Sequence, residues 1–205
     1  MDQEVIASLR TAYDRKVGER ADRPMEPWKF TERAHFMALL QQEGKQDLLE
    51  IGAGTGRDSL FFQENGFITT CTDLSPAMVK YCQGRGLNAY EMDFAHLNFP
   101  PASFDAIYAL NCLLHVPKVD FLAILQNIHT LLRPRGLFFL GQYGGVDQEG
   151  VWAGDHYEPK RFFARYLDEQ IQALVSGIFE IIYFNRVFLE NESTGHFQSM
   201  ILRYR

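Results

Sequence analysis

The chain has 205 residues, 46% hydrophobic and 22% charged, with a formal net charge of −6 and six histidines. This length supports a full hydrophobic core and predicts a single domain over 1–205, and the acidic balance, without any basic run, leaves no source for the phosphate attraction that nucleic-acid binding requires. No apolar stretch approaches the ~20 residues of a membrane span, the amino terminus lacks the basic-then-apolar pattern of a signal peptide, and a cytoplasmic protein working as monomer or homodimer is expected.

In chain order, residues 3–16 place Val5, Ile6, Leu9, Ala12 and Tyr13 on one helical face. A second helix is predicted from Thr31, its N-cap, to Gly44, its C-cap, which makes 1–45 an N-terminal helical cap. Between them, 18–28 is polar and proline-bearing and reads as a mobile loop carrying Trp28. Alternation of strand and helix then fills 46–142: strand 48–51, helix 56–65, strand 67–72, helix 76–85 with Ser75 as N-cap and Pro76 in its first turn, strands 88–92 and 104–110, helix 118–132 and strand 137–140. Residues 143–158 read as a glycine-rich aromatic loop. A helix is predicted for 159–176, and 179–189 with 196–204 for a hairpin closing the sheet edge. Such alternation predicts an α/β fold: a mostly parallel, doubly wound sheet with helices on both faces and a C-terminal antiparallel hairpin strand. Its ligand crevice lies beyond the carboxyl ends of the strands.

The run Leu48-Leu49-Glu50-Ile51-Gly52-Ala53-Gly54-Thr55-Gly56 ends a strand in three alternating glycines, which allow a sharp turn and close approach to a ligand. A dinucleotide fingerprint would place its third glycine where the chain has Arg57. Downstream, Phe67 to Asp73 is a second strand ending in an acid able to grip two ribose hydroxyls. By itself this fits NAD or S-adenosylmethionine. Glu50 before the glycines, Asp93 ending a third strand and the fourth strand from Phe104 favour the latter.

On the motifs Leu49 to Gly56, Thr72-Asp73-Leu74-Ser75, Met92-Asp93-Phe94, Phe104 to His115 and Leu132-Arg133-Pro134-Arg135-Gly136, the chain resembles the class I S-adenosylmethionine-dependent methyltransferases over about residues 46–142. The resemblance implies a three-layer, Rossmann-like fold with a seven-stranded sheet and a cofactor site at Glu50, Gly52, Ala53, Gly54, Thr55, Gly56, Asp73, Leu74, Met78, Asp93, Phe94 and Asn111. Asp73 is thereby expected at the ribose, Asp93 and Phe94 at the adenine. It implies methyl transfer from S-adenosyl-L-methionine, with a small-molecule O, N or other nucleophile as the expected acceptor, and it places the residues after the fourth strand near the substrate. There His115 is the candidate catalytic base, since a histidine titrating near neutrality takes a proton readily, its other reading being a histidine packed at a helix start before Pro117. Tyr13, Trp28, His115, Tyr143, Trp152, His156 and Tyr157 are expected around the substrate. Glu50 has a second reading, tying down the glycine loop, and Asp93 another, capping the next turn. His35, His96, His129 and His196 read as structural, as does Asp105. No metal is called for, and Cys71, Cys82 and Cys112 are expected as reduced core thiols. Two other functions remain open at this level: a non-catalytic S-adenosylmethionine or S-adenosylhomocysteine binder, and an NAD-dependent oxidoreductase.

Overall fold

The computed structural model describes residues 2–189 and 195–205. Three helices come first, α1 (Gln3–Asp14), α2 (Val17–Asp22) and α3 (Pro27–Gln42). The Asp2 side chain caps α1 by accepting the Glu4 N–H. The expected loop at 18–28 is thus largely helical, and the second long helix starts at Pro27 rather than Thr31. A proline's fixed φ suits the first helical turn, where no N–H partner is needed, so Pro27 overrides Thr31 as the start. Gly44, at φ +64°, turns the chain after this helix as expected.

The core follows as β1 (Asp47–Ile51), α4 (Arg57–Glu64), β2 (Ile68–Asp73), α5 (Pro76–Gly84), β3 (Asn88–Glu91), β4 (Phe104–Leu110), a 3-10 turn at Leu113–His115, α6 (Lys118–Leu131) and β5 (Leu132–Gly144). The remainder is β6 (Gln148–Val151), β7 (Phe162–Arg165), α7 (Asp168–Ser176), β8 (Phe179–Val187) and β9 (His196–Tyr204). The predicted helix 159–176 is corrected: only 168–176 is helical. Phe162 to Arg165 instead pair antiparallel with Gln148 to Val151, because aromatic residues satisfy a pleated ladder once a partner strand is in reach. Part of the expected 143–158 loop is that partner.

Seven strands form one sheet in the order β3-β2-β1-β4-β5-β9-β8. The strands β3, β2, β1, β4 and β5 are parallel, and β9 runs antiparallel between β5 and β8. Alternating residues divide the core. Leu49, Ile51, Ile107, Phe138, Leu140, Met200 and Leu202 pack with α6 and α7, whereas Leu48, Tyr108, Leu137, Phe139 and Ile201 pack with Phe36 and Leu40 of α3 and Phe62 of α4. Cys71 and Ala89 pack with Val79 and Cys82 of α5. The fold is therefore three-layered. Strand order reverses between β1 and β4, and the crevice opens at their carboxyl ends, as this topology dictates.

Candidate active site

The three glycines of the loop after β1 all have positive φ, at +66°, +56° and +67° for Gly52, Gly54 and Gly56. They differ in what surrounds them. A Cβ on Gly52 would lie 2.3 Å from Cys112 Cβ, and one on Gly56 2.4 Å from Leu87 Cδ1. These two positions are closed by packing. A Cβ on Gly54 would meet only the Arg20 guanidinium, at 3.6 Å, so Gly54 faces the open crevice. Glu50 is buried, and its Oε2 accepts the Ser59 N–H at 2.7 Å and the Ser59 hydroxyl at 2.5 Å. Burial, reinforced by Asp58, pushes its carboxyl well above the ordinary range. Glu50 thus ties the loop to α4 while still lining the crevice beside Ala53, Thr55 and Asn111.

Asp73 ends β2. Its two oxygens accept the Gly54 N–H at 2.7 Å and the Ser75 N–H at 2.9 Å; burial raises its carboxyl, opposed by those bonds and by Arg20. Ser75 caps α5 by accepting the Met78 N–H and donates to Asp14, which also accepts the Ala77 N–H. An acid at the positive end of a helix is favoured by the dipole, so Asp14 docks the end of α1 onto the cofactor side. Asn111 sits in the left-handed region at φ +55°, and its buried Oδ1 has no hydrogen-bond partner among the described residues. Leu74, Phe94 and Asn111 line the same cavity as Gly52, Gly54 and Asp73. Met78 is buried within α5. Asp93 accepts the Ala95 and His96 N–H groups and faces the His96 ring, which is the turn-capping geometry.

Opposite the glycine loop stands a network drawn from distant segments. His115 Nδ1 lies 2.7 Å from the Phe162 carbonyl oxygen, and its Nε2 lies 2.7 Å from the Tyr13 hydroxyl. Arg161 Nη1 donates to the same hydroxyl at 3.0 Å. Asp155 grips Arg161 bidentately, at 2.8 Å through Nε and 2.9 Å through Nη2, and is held down to about 2 by it against the cost of burial. Tyr157 is buried between the two arginines: its ring lies 3.6 Å from the Arg161 guanidinium carbon, and Arg20 Nη1 donates to its hydroxyl at 3.2 Å. Burial lowers the His115 pKa to about 3, outweighing its bond to the Phe162 carbonyl. The near-neutral base expected at His115 is therefore corrected: this imidazole is neutral and both nitrogens are engaged.

Tyr13 and His115 line the cavity with the cofactor-side residues, and Tyr157 touches it through Tyr13. The other expected substrate residues stand apart. Trp28 and Tyr143 pack against Phe197 from two sides; Trp152, 43% exposed, leans on Phe163; His156 rests on Tyr157 with its side chain 65% exposed.

Residues 49–140 match the methyltransferase domain family. Over 186 residues the chain is 25% identical to the demethylmenaquinone methyltransferase of Tropheryma whipplei (strain Twist), spanning 83% of this chain and 71% of that one. The matched residues 49–140 support a methyltransferase of the class I, S-adenosylmethionine-dependent kind. A shorter match, 30% identical over 128 residues, covers 53% of this methyltransferase and 44% of the glycine N-methyltransferase of Rattus norvegicus. Among solved structures, the Burkholderia thailandensis 1,6-didemethyltoxoflavin-N1-methyltransferase, crystallised with 1,6-didemethyltoxoflavin and S-adenosylhomocysteine, has a TM-score of 0.76 at 24% identity, covering 100% of this chain and 90% of that one. The N-methyltransferase NodS of Bradyrhizobium japonicum WM9, in complex with S-adenosylhomocysteine, has a TM-score of 0.70 at 15% identity, covering 96% and 98%. These structural likenesses carry the fold.

The cofactor of this methyltransferase is S-adenosylmethionine, which decides between the two cofactors that the glycine loop and Asp73 alone left open. The crevice fits it: Gly54 leaves a cradle that a side chain would fill, and Asn111 Oδ1 is a buried acceptor aimed at no protein donor. Among the described residues no helix is long and apolar enough to cross a membrane. Three charged residues of the methyltransferase site escaped the sequence reading: Arg20, Asp155 and Arg161. The alternation of Tyr157, Arg161 and Phe163 in an aromatic-rich stretch was the available signal, but reading 159–176 as helix concealed it.

Proposed function

We propose that this methyltransferase methylates an oxygen or nitrogen nucleophile on a small molecule seated between the cofactor crevice and the Tyr13–His115 pair, with residues 1–205 acting as one domain. A single observation carries this: one cavity is lined both by Gly52, Gly54, Asp73 and Asn111 and by Tyr13 and His115. The names of the relatives, acting on demethylmenaquinone, glycine or 1,6-didemethyltoxoflavin, support a small-molecule acceptor.

When bound, the cofactor supplies a methyl group already activated on a sulfonium. The protein's share is positioning: Asp73 and the glycine loop hold the ribose end, Leu74 and Phe94 the adenine end, and Asn111 the methionine end. The helices α1 and α2 cover the crevice, with Leu9, Tyr13 and Arg20 on its wall. Arg57, opening α4, donates to the carbonyl oxygens of Arg20, Ala21 and Arg23 and so fastens α2 over the loop. Alignment of this kind supplies up to ~7–11 kcal/mol of barrier lowering, and proton handling by Tyr13 and His115 adds about 10²–10⁴ in rate. The test is transfer of a labelled methyl group from S-adenosylmethionine to hydroxylated and amino-bearing metabolites, with S-adenosylhomocysteine calorimetry alongside. Micromolar S-adenosylhomocysteine binding and turnover of at least one O- or N-acceptor are expected. Binding with transfer only to carbon or sulfur acceptors would overturn the reading.

A further inference from the structure

We propose that the acceptor seat is a proton-accepting subsite centred on the Tyr13 hydroxyl oxygen, taking a nucleophile that still carries its proton, a hydroxyl, amine or ring N–H. Tyr13 is then the catalytic residue that meets the acceptor, and His115 acts through it. This rests on the methyltransferase reading above and extends it to the polarity of the seat.

The direction of every hydrogen bond in the network is determined from one end. A carbonyl oxygen only accepts, so the Phe162 carbonyl requires the proton of neutral His115 to sit on Nδ1. Nε2 is then bare, and of the two atoms in the 2.7 Å contact only the Tyr13 hydroxyl has a hydrogen to give. A guanidinium only donates, so Arg161 occupies one of the two lone pairs on Tyr13 Oη. One lone pair is left, on a residue that lines the cavity. What the wall offers the acceptor is a place to put a hydrogen.

The charges around the dyad maintain that state. Tyr13 faces Arg161 with its paired Asp155, Arg20 from α2 and Tyr157; Asp73 acts on Arg20, and Asp14, next in α1, is engaged with the start of α5. The two guanidinium groups oppose a second proton on His115, and burial raises the Tyr13 phenol despite both arginines. The pair therefore waits neutral. In the transfer, the new bond from the acceptor atom to the methyl carbon forms as the sulfur–methyl bond breaks, the acceptor's proton passes to Tyr13 Oη, and the Tyr13 proton passes to His115 Nε2. The positive charge lost at sulfur reappears on the imidazole, and the crevice keeps its net charge.

The test does not depend on turnover. In protein labelled with ¹⁵N-histidine and saturated with S-adenosylhomocysteine, two-bond correlation spectra should show His115 protonated at Nδ1 and bare at Nε2 from pH 8 to pH 5. Phenol, as hydrogen-donating probe, should displace the Nε2 resonance; anisole, the same shape without the proton, should not. The variant Tyr13→Phe keeps the ring against Tyr157 and should abolish the phenol response, with S-adenosylhomocysteine affinity within about twofold. With an acceptor identified by turnover, it should lower kcat by roughly 10²–10³-fold with a smaller change in KM. A proton on Nε2, an equal or absent response to phenol and anisole, or a phenol response persisting in Tyr13→Phe would each overturn the proposal. Loss of S-adenosylhomocysteine binding by the unmodified protein would instead defeat the underlying reading.

Discussion

The two walls of the crevice are built on opposite principles. On the cofactor wall, residues 50–58 and 73–78 form two short contiguous segments, and their shape comes from main-chain conformation at the glycines, the Asp73 carboxylate that joins Gly54 to Ser75, and a helix cap. On the acceptor wall, Tyr13, Arg20, His115, Asp155, Arg161 and the Phe162 carbonyl include bonded partners 148 residues apart, and all but that carbonyl are side chains. The first wall is fixed by local backbone geometry and would survive changes elsewhere. The second exists only while α1, α2 and the β6–β7 hairpin remain docked, because a buried polar network with one member missing costs more than it returns.

The largest effect should come from glycine substitution, which also shows that the cofactor wall is not uniform. Gly52→Val combines backbone strain with an overlap on Cys112 and should cost roughly 2–6 kcal/mol or prevent folding. Gly54→Ala should cost only about 1–2 kcal/mol in strain yet lose at least ~10-fold in S-adenosylhomocysteine affinity. Denaturant unfolding and calorimetry on both variants decide the matter; equal stability losses with normal binding would remove the distinction between packed and ligand-facing glycines. On the acceptor wall, Asp155→Ala leaves a buried guanidinium without its partner and should cost about 3–5 kcal/mol. The folded fraction should nevertheless bind S-adenosylhomocysteine within about twofold of normal, and a collapse of binding would show the walls to be coupled.

Acid should weaken the acceptor wall through His115. Its folded pKa of about 3 lies below the unfolded value of about 6.5, so the unfolded chain binds the proton first and stability falls as pH drops from about 6.5 towards 3. Asp155, held at about 2, adds its loss only below about pH 4, whereas Glu50 and Asp73, pushed upward by burial, act in the opposite sense. The gap in unfolding free energy between wild type and His115→Gln should therefore narrow from pH 7 to pH 4; a constant gap would mean that this imidazole already titrates normally. Removal of the Asp73 carboxylate, proposed to meet the ribose, in Asp73→Ala should weaken S-adenosylhomocysteine binding by about 1.5–3 kcal/mol, read by calorimetry. The smallest effect is expected at the join between the walls: Arg57→Ala should speed amide exchange across 17–23 by about fivefold, the worth of about 1 kcal/mol of lost bonding. Unchanged exchange there would show that α2 is held by something other than the glycine loop's own helix.

The sequence by itself determined the strand–helix alternation, the glycine loop, Asp73 at the end of β2, the Ser75 cap and the closing hairpin. Each is a matter of spacing and backbone preference within a dozen residues, and spacing is written directly in the chain. It also singled out Tyr13, His115 and Tyr157, one at a time, as chemically useful side chains. Only the tertiary structure decided that these three meet, that Arg20, Asp155 and Arg161 join them, and that Trp28, Tyr143, Trp152 and His156 pack elsewhere. It likewise made 162–165 a strand, because β-pairing requires a partner that periodicity within one segment does not reveal. The state of His115 belongs to the same class: a histidine's ordinary pKa is a property of the residue, but the burial that lowers its basicity and the carbonyl that selects its tautomer belong to segments brought together only by folding.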